Sequence, residues 1–99
     1  MRVELHPKAD EEFAAQVENY DEQQSGLGQR FYREVIVNLE WIGENPELPR
    51  LRKSYRRVNL KVFPFYIAYV VEGDLVWVAA IAHGKRRPHY WMRRLRGID

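Results

Sequence analysis

From residue 65 to residue 82 the chain is apolar at both alternating positions, and only Glu72, Gly73 and Asp74 interrupt the run. Gly-Asp between two such runs is a hairpin turn signal, so residues 65–71 and 75–82 read as antiparallel strands. Successive side chains of a strand point to opposite faces, and these strands are therefore apolar on both. A hairpin of this kind must be covered twice, which rules out a sheet with one face in water.

What precedes the hairpin supplies one cover. Residues 2–6 alternate Val3 and Leu5 with polar neighbours and read as a short strand ended by Pro7. Over residues 8–24, Ala9, Phe13, Val17 and Tyr20 recur at helical spacing, and Asp10, Glu11 and Glu12 occupy the first turn, where the helix dipole favours acid. After Ser25-Gly-Leu-Gly28, the stripe Leu27, Phe31, Val35, Leu39 and Ile42 marks a second helix, closed by Gly43-Glu-Asn-Pro46. So short a link predicts antiparallel packing of the two helices. Residues 55–61 read as a further strand, and Pro64 predicts a bend or bulge before the hairpin. The helix pair covers one sheet face. The segment 88–96, with Tyr90, Trp91 and Leu95, is available for part of the other, and a partner chain for the rest.

Ninety-nine residues suggest one domain, 1–99. The absence of cysteine excludes a disulfide framework, a thiolate metal site and a thiol nucleophile. The N-terminus lacks the apolar run of a signal peptide, and no stretch approaches the roughly 18 apolar residues of a membrane span. A soluble, cytoplasmic chain is expected. Its net charge of +2 hides a split: residues 1–49 hold 4 Lys/Arg against 11 Asp/Glu, and residues 50–99 hold 12 against 3. The cations gather in residues 50–61 and 85–96, two stretches free of acid, which suits a polyanion or an acidic protein surface. Solvated faces paired to the acidic half are the plainer reading of the same charges.

Several phrases in this order carry a family resemblance: Leu27-Gly28 followed by Phe31 and Glu34, the end of the second helix from Ile42 to Pro46, Phe63-Pro-Phe-Tyr-Ile-Ala-Tyr69, and above all Ala82-His-Gly-Lys-Arg-Arg-Pro-His-Tyr-Trp91. Over nearly the whole chain they resemble the RelE/ParE superfamily of toxin–antitoxin toxins, more its ParE-type, plasmid-stabilisation branch than a typical RelE. The resemblance implies an α+β fold: a strand, a two-helix hairpin, a three-stranded antiparallel meander and a short C-terminal helical segment. It also implies a toxin neutralised by a cognate antitoxin wrapped over the uncovered sheet face. RelE-type members are metal-independent, ribosome-dependent endoribonucleases acting on mRNA, whereas ParE-type members inhibit DNA gyrase.

The residues bear on that choice. Cleavage through a 2′-hydroxyl needs a base, an acid and cations for the developing phosphate charge. His83, at the end of the last strand and on the same alternation as Leu75, Trp77, Ala79 and Ile81, is the candidate base, with Tyr90 as partner and Arg57 with Arg86 or Arg87 converging on the phosphate, the catalytic set being His83, Arg57, Arg87 and Tyr90. A structural role for His83 is the plainer alternative. Arg50, Arg52, Lys53, Arg56, Lys85, Arg86, Arg93 and Arg94 are candidates for binding nucleic acid or a protein target. Tyr90 and Trp91 offer rings for base stacking, or for docking the C-terminal segment on the sheet. RelE nucleases commonly carry an arginine after the tyrosine of the middle meander strand, but here Tyr66 precedes Ile67 and Tyr69 precedes Val70. No metal-ligand spacing or phosphate loop is present, and no cofactor is expected.

Overall fold

A computed structural model describes residues 1–87 and 89–96. The elements follow in the order β1 (Arg2–Leu5), α1 (Pro7–Gln23), α2 (Leu27–Glu44), β2 (Arg56–Asn59), β3 (Phe65–Glu72), β4 (Leu75–His83), α3 (His89–Met92) and a 3-10 turn (Arg93–Arg96). The fold is α+β, with the expected helix pair and meander. The meander strands pair antiparallel, and β1 adds to the outer edge of β4 in parallel, giving the sheet order β1-β4-β3-β2.

Local chemistry sets the helix ends. Pro7 occupies the first turn of α1, where its missing N–H costs nothing, and the His6 imidazole Nδ1 accepts the Lys8 N–H at 3.0 Å as the cap. Between the helices, Gly26 takes a φ of 87° and the Asp21 carboxylate accepts from the N–H groups of Gly26 and Gly28, each at 3.0 Å. Gly28 is required by close approach, since a Cβ there would lie 2.3 Å from the Val17 carbonyl oxygen. Glu34 of α2 then reaches across to the meander and accepts from the Lys61 and Val62 N–H groups, fixing the bend before Pro64.

Both faces of the β3–β4 hairpin are covered. On one, Phe13, Phe31, Val35, Leu39 and Ile42 of the helices pack against Phe65, Ile67, Tyr69, Val76, Val78 and Ile81. On the other, Ala68, Ala79, Ala80 and Ala82 leave a shallow bed for Trp91, which is fully buried. The Trp91 indole N–H donates to the Tyr66 hydroxyl at 2.9 Å, and its ring meets Tyr55 edge-on with centroids 4.9 Å apart. The face expected to wait for an antitoxin is thus largely closed by the chain's own C-terminal segment. Exposed apolar side chains lie instead on α2, at Tyr32, Val37 and Trp41, and in the loops that follow it, at Leu48, Leu51 and Val62.

A bulge changes the reading of β4. Ala68 pairs with Ala80 but Tyr69 pairs with Val78, so Ala79 is an extra residue on β4 and the alternation reverses there. Ile81 and His83 consequently share the helix-side face with Val76 and Val78, not the face of Trp77. The expected alternation through Leu75, Trp77, Ala79, Ile81 and His83 is corrected by this one residue.

The edge of β4 beyond β1 is closed by Arg94. Its guanidinium donates to both carboxylate oxygens of Glu12, at 3.0 and 2.9 Å, and to the Ala79 carbonyl at 3.1 Å, while the Arg94 carbonyl accepts from the Trp77 indole at 3.2 Å. At 6% exposure Arg94 is not presented to a target, and its sequence-based assignment as a target-binding cation is corrected. Replacing it with alanine leaves the half-buried Glu12 carboxylate without this fork. Arg94→Ala is expected to lower stability by about 2 kcal/mol, less than for a fully buried pair. Urea unfolding followed by tryptophan fluorescence measures this, and a loss below about 0.5 kcal/mol would show that the clamp is energetically idle.

Tyr69 gives a second expectation. Its ring is buried and its hydroxyl donates to the Pro46 carbonyl at 2.7 Å. Burial pushes its pKa from 10.0 to about 12, against a lowering by Arg56. With the folded value raised, the stabilisation is intact below the unfolded pKa and is lost as pH climbs toward about 12. It amounts to at most about 2–3 kcal/mol. Tyr69→Phe is expected to cost about 1 kcal/mol at pH 7 through the lost hydrogen bond. The variant should also lose stability less steeply than the wild type between pH 10 and 12, and parallel alkaline slopes would exclude Tyr69 as a source of the loss.

Candidate functional site

The sequence candidates fall at the end of the sheet where β4 leaves it. His83 projects on the α1 side and meets Phe65 with ring centroids 5.2 Å apart. Its Nδ1 accepts the Lys85 N–H at 3.1 Å, in the turn where the Arg86 N–H also bonds the His83 carbonyl. With Nδ1 used as an acceptor, the neutral imidazole carries its proton on Nε2. The lone pair needed by a general base is the one already occupied.

A cleft between α1 and the end of β4 is lined by Glu12, Gln16, Tyr20, His83, Arg86 and Tyr90, so three of the sequence candidates do converge. The Arg86 guanidinium lies 3.8 Å from the centre of the Tyr90 ring, and that of Arg94 lies 5.4 Å from it. Burial raises the Tyr90 pKa, Glu12 raises it further, and the two arginines offset part of this. A neutral hydroxyl at physiological pH is a donor. Glu12, the cleft's one carboxylate, has both oxygens engaged by Arg94. The cleft therefore offers hydrogen-bond donors and the Arg86 charge, beside a Glu12 carboxylate and a His83 Nδ1 that are each already engaged in a hydrogen bond.

Arg57 lies on the opposite sheet face. It pairs with Ala68, sits 4.0 Å over the Tyr66 ring, and donates to the Asn59 side-chain oxygen at 2.9 Å from one terminal nitrogen. Arg57 and His83 both border a shallow depression at the sheet end with Lys85, but Tyr90 does not line it. Arg87 is exposed and lines neither recess. Arg57, His83, Arg87 and Tyr90 thus share no one cleft among the described residues. The stacking surface is reduced as well, because Trp91 is buried and Tyr90 is faced by two guanidinium groups.

Trp91 sets the turn before β2 beside the C-terminal segment. Its edge contact with Tyr55 holds residues 52–55 there, and Ser54, Met92 and Arg93 border one groove. Arg50, Lys53 and Arg93 are exposed, Arg52 is half-buried, and Lys85 and Arg86 are exposed at the sheet end. Arg56 is different, since one of its terminal nitrogens donates to the carbonyls of Glu47 and Pro49 at 3.1 and 2.6 Å and braces the preceding loop. Sequence reasoning missed Glu12 and Tyr66. Glu12 reads as an ordinary first-turn acid, and its partner Arg94 lies 82 residues away.

Among the described residues, no group of histidine and carboxylate side chains is disposed to hold a metal, and no helix is long and apolar enough to cross a membrane.

Comparison with solved structures supports the fold. A chain described as the chromosomal ParDE TA system from P. aeruginosa superposes with a TM-score of 0.62 at 17% identity, over 84% of this chain and 95% of that one. The isolated E. coli RelE toxin superposes with a TM-score of 0.63 at 16% identity, over 98% of each chain. At such identities the likeness is one of fold. A search of curated proteins gave no match. The model of the ParE toxin of the type II toxin–antitoxin system parDE matches residues 3–88, and on that match the chain belongs to the ParE toxin family.

Proposed function

We propose that this toxin acts in the cytoplasm by binding a protein target, DNA gyrase, through its basic C-terminal half, and that it does not cleave RNA. The family pairs such a toxin with an antitoxin, which would neutralise it. The observation that carries the reading is the hydrogen bond from the Lys85 N–H to His83 Nδ1. In a nuclease, His83 would have to give up that bond before it could accept a 2′-hydroxyl proton. The cleft supplies no substitute base, because Tyr90 is held neutral and the Glu12 carboxylate is committed to Arg94. The arginines lean the same way: Arg57, held over Tyr66, shares a shallow depression with His83 but not the cleft that holds Tyr90 and Arg86. What remains is a cationic surface suited to an acidic partner.

A contact surface and an active site respond differently to the loss of one side chain. Removing a catalytic base costs orders of magnitude, whereas removing one group from the rim of an interface costs little. His83→Ala is therefore expected to inhibit DNA supercoiling by purified gyrase within about threefold of the wild type and to arrest growth as the wild type does. A folded His83→Ala chain that is harmless, together with a wild type that cuts ribosome-bound mRNA, would replace this reading with the endoribonuclease.

A further inference from the structure

The loop between α2 and β2 is fastened from below and bare on top. The Tyr69 hydroxyl holds the Pro46 carbonyl, and Arg56 holds those of Glu47 and Pro49. The Arg52 and Tyr55 backbones exchange two hydrogen bonds of 2.7 Å each, and the Tyr55 ring is set against buried Trp91. Lys53, at the tip of this turn, holds a φ of 40°, in the left-handed region that a residue with a Cβ seldom enters. Yet the loop's leucines face outward. Leu48 is 71% exposed and Leu51 is 56% exposed. Arg50 and Lys53 stand exposed beside them with Arg52 half-buried, and the sequence carries no acid from residue 48 to residue 71.

A loop that is merely a connection does not need five hydrogen bonds and a ring contact to hold it, and solvated connections are usually polar. Fixing a loop in advance removes the ordering cost that a partner would otherwise have to meet on binding. Two leucines among three cations describe the partner's chemistry. The leucines call for an apolar pocket, which a phosphate backbone does not offer, and the cations call for acidic groups around it. We propose that residues 48–53 are the target-contact element of this toxin, with Leu48 and Leu51 seated in an apolar pocket of a protein and Arg50, Arg52 and Lys53 on its acidic rim. The proposal deepens the protein-contact reading above and rests on it.

The test compares the full chain with Leu48→Ser/Leu51→Ser and with Arg50→Ser/Arg52→Ser/Lys53→Ser in supercoiling assays with the gyrase holoenzyme. Both variants should keep a urea midpoint close to the wild type, since among the described residues none of the replaced side chains makes a hydrogen bond or ion pair. The leucine variant should need at least about tenfold more protein for half-inhibition, as loss of a central apolar anchor does. The charge variant should lose most at low salt. Should the double leucine change unfold the chain, Leu51→Ser alone carries the comparison. Undiminished inhibition by a folded leucine variant overturns the contact element and leaves the gyrase reading standing. If the wild type does not inhibit gyrase, that reading fails and growth arrest becomes the readout. Loss of arrest in the leucine variant then supports the element on another protein target, and retained arrest overturns it. Leucine-dependent sedimentation with phosphatidylglycerol vesicles, or leucine-dependent retention of a duplex oligonucleotide, would assign the loop to lipid or nucleic acid and overturn it as well. A wild type that neither inhibits gyrase nor arrests growth overturns both.

Discussion

The seating of Trp91 in a bed of alanines is the contact on which the rest of this molecule depends. The β3–β4 hairpin is apolar on both faces, and the helix pair reaches only one. Ala68, Ala80 and Ala82 leave room on the other face for a single large ring, and Trp91 fills it completely. Its N–H finds the Tyr66 hydroxyl, so that the buried polar atom is satisfied, and its ring edge locates Tyr55. Burying an indole contributes on the order of 2–3 kcal/mol. The positional effect is larger than the energy suggests, because the same ring fixes the C-terminal segment below it and the 52–55 turn beside it. Ser54 of that turn and Arg93 border one groove for that reason.

The Arg94 fork completes the arrangement from the other side. β1 pairs with β4 only from Leu75 to Val78, which leaves the carbonyl of the bulged Ala79 at an open edge. Arg94 meets that carbonyl and the Glu12 carboxylate together. A residue that looked like one more cation in a basic run is a strap between the first helix and the last strand. Its fork engages both Glu12 oxygens, so a stability feature also shapes the cleft that Glu12 lines.

Much of this was legible in the chain. The stripes Phe13–Val17–Tyr20 and Phe31–Val35–Leu39 placed both helices, the Gly73-Asp74 turn placed the hairpin, and the need for a second cover pointed to Trp91. The bulge was not legible, because Ala79, Ala80 and Ala82 fit either face equally well and no large side chain marks the reversal. That one residue decided on which side of the sheet His83 would lie. The parallel pairing of β1 with β4 and the Arg94–Glu12 clamp were hidden for another reason: each joins opposite ends of the chain, and short-range periodicity carries no information about such pairs. The convergence of Arg57 with Arg86 or Arg87 was inferred from strand order alone: Arg57 does border a depression with His83 and Lys85, but Arg86 lines the cleft on the α1 side and Arg87 lines neither.

The proposed action on gyrase rests on a recess in which His83 Nδ1 and the Glu12 carboxylate are already hydrogen-bonded. The most direct measurement is separate pulse-labelling of DNA and protein synthesis within minutes of inducing the chain alone in a bacterial host. DNA synthesis should fall first while protein synthesis continues, as loss of gyrase function requires. An immediate collapse of protein synthesis with DNA synthesis intact would contradict the account and return His83 to the role of a base.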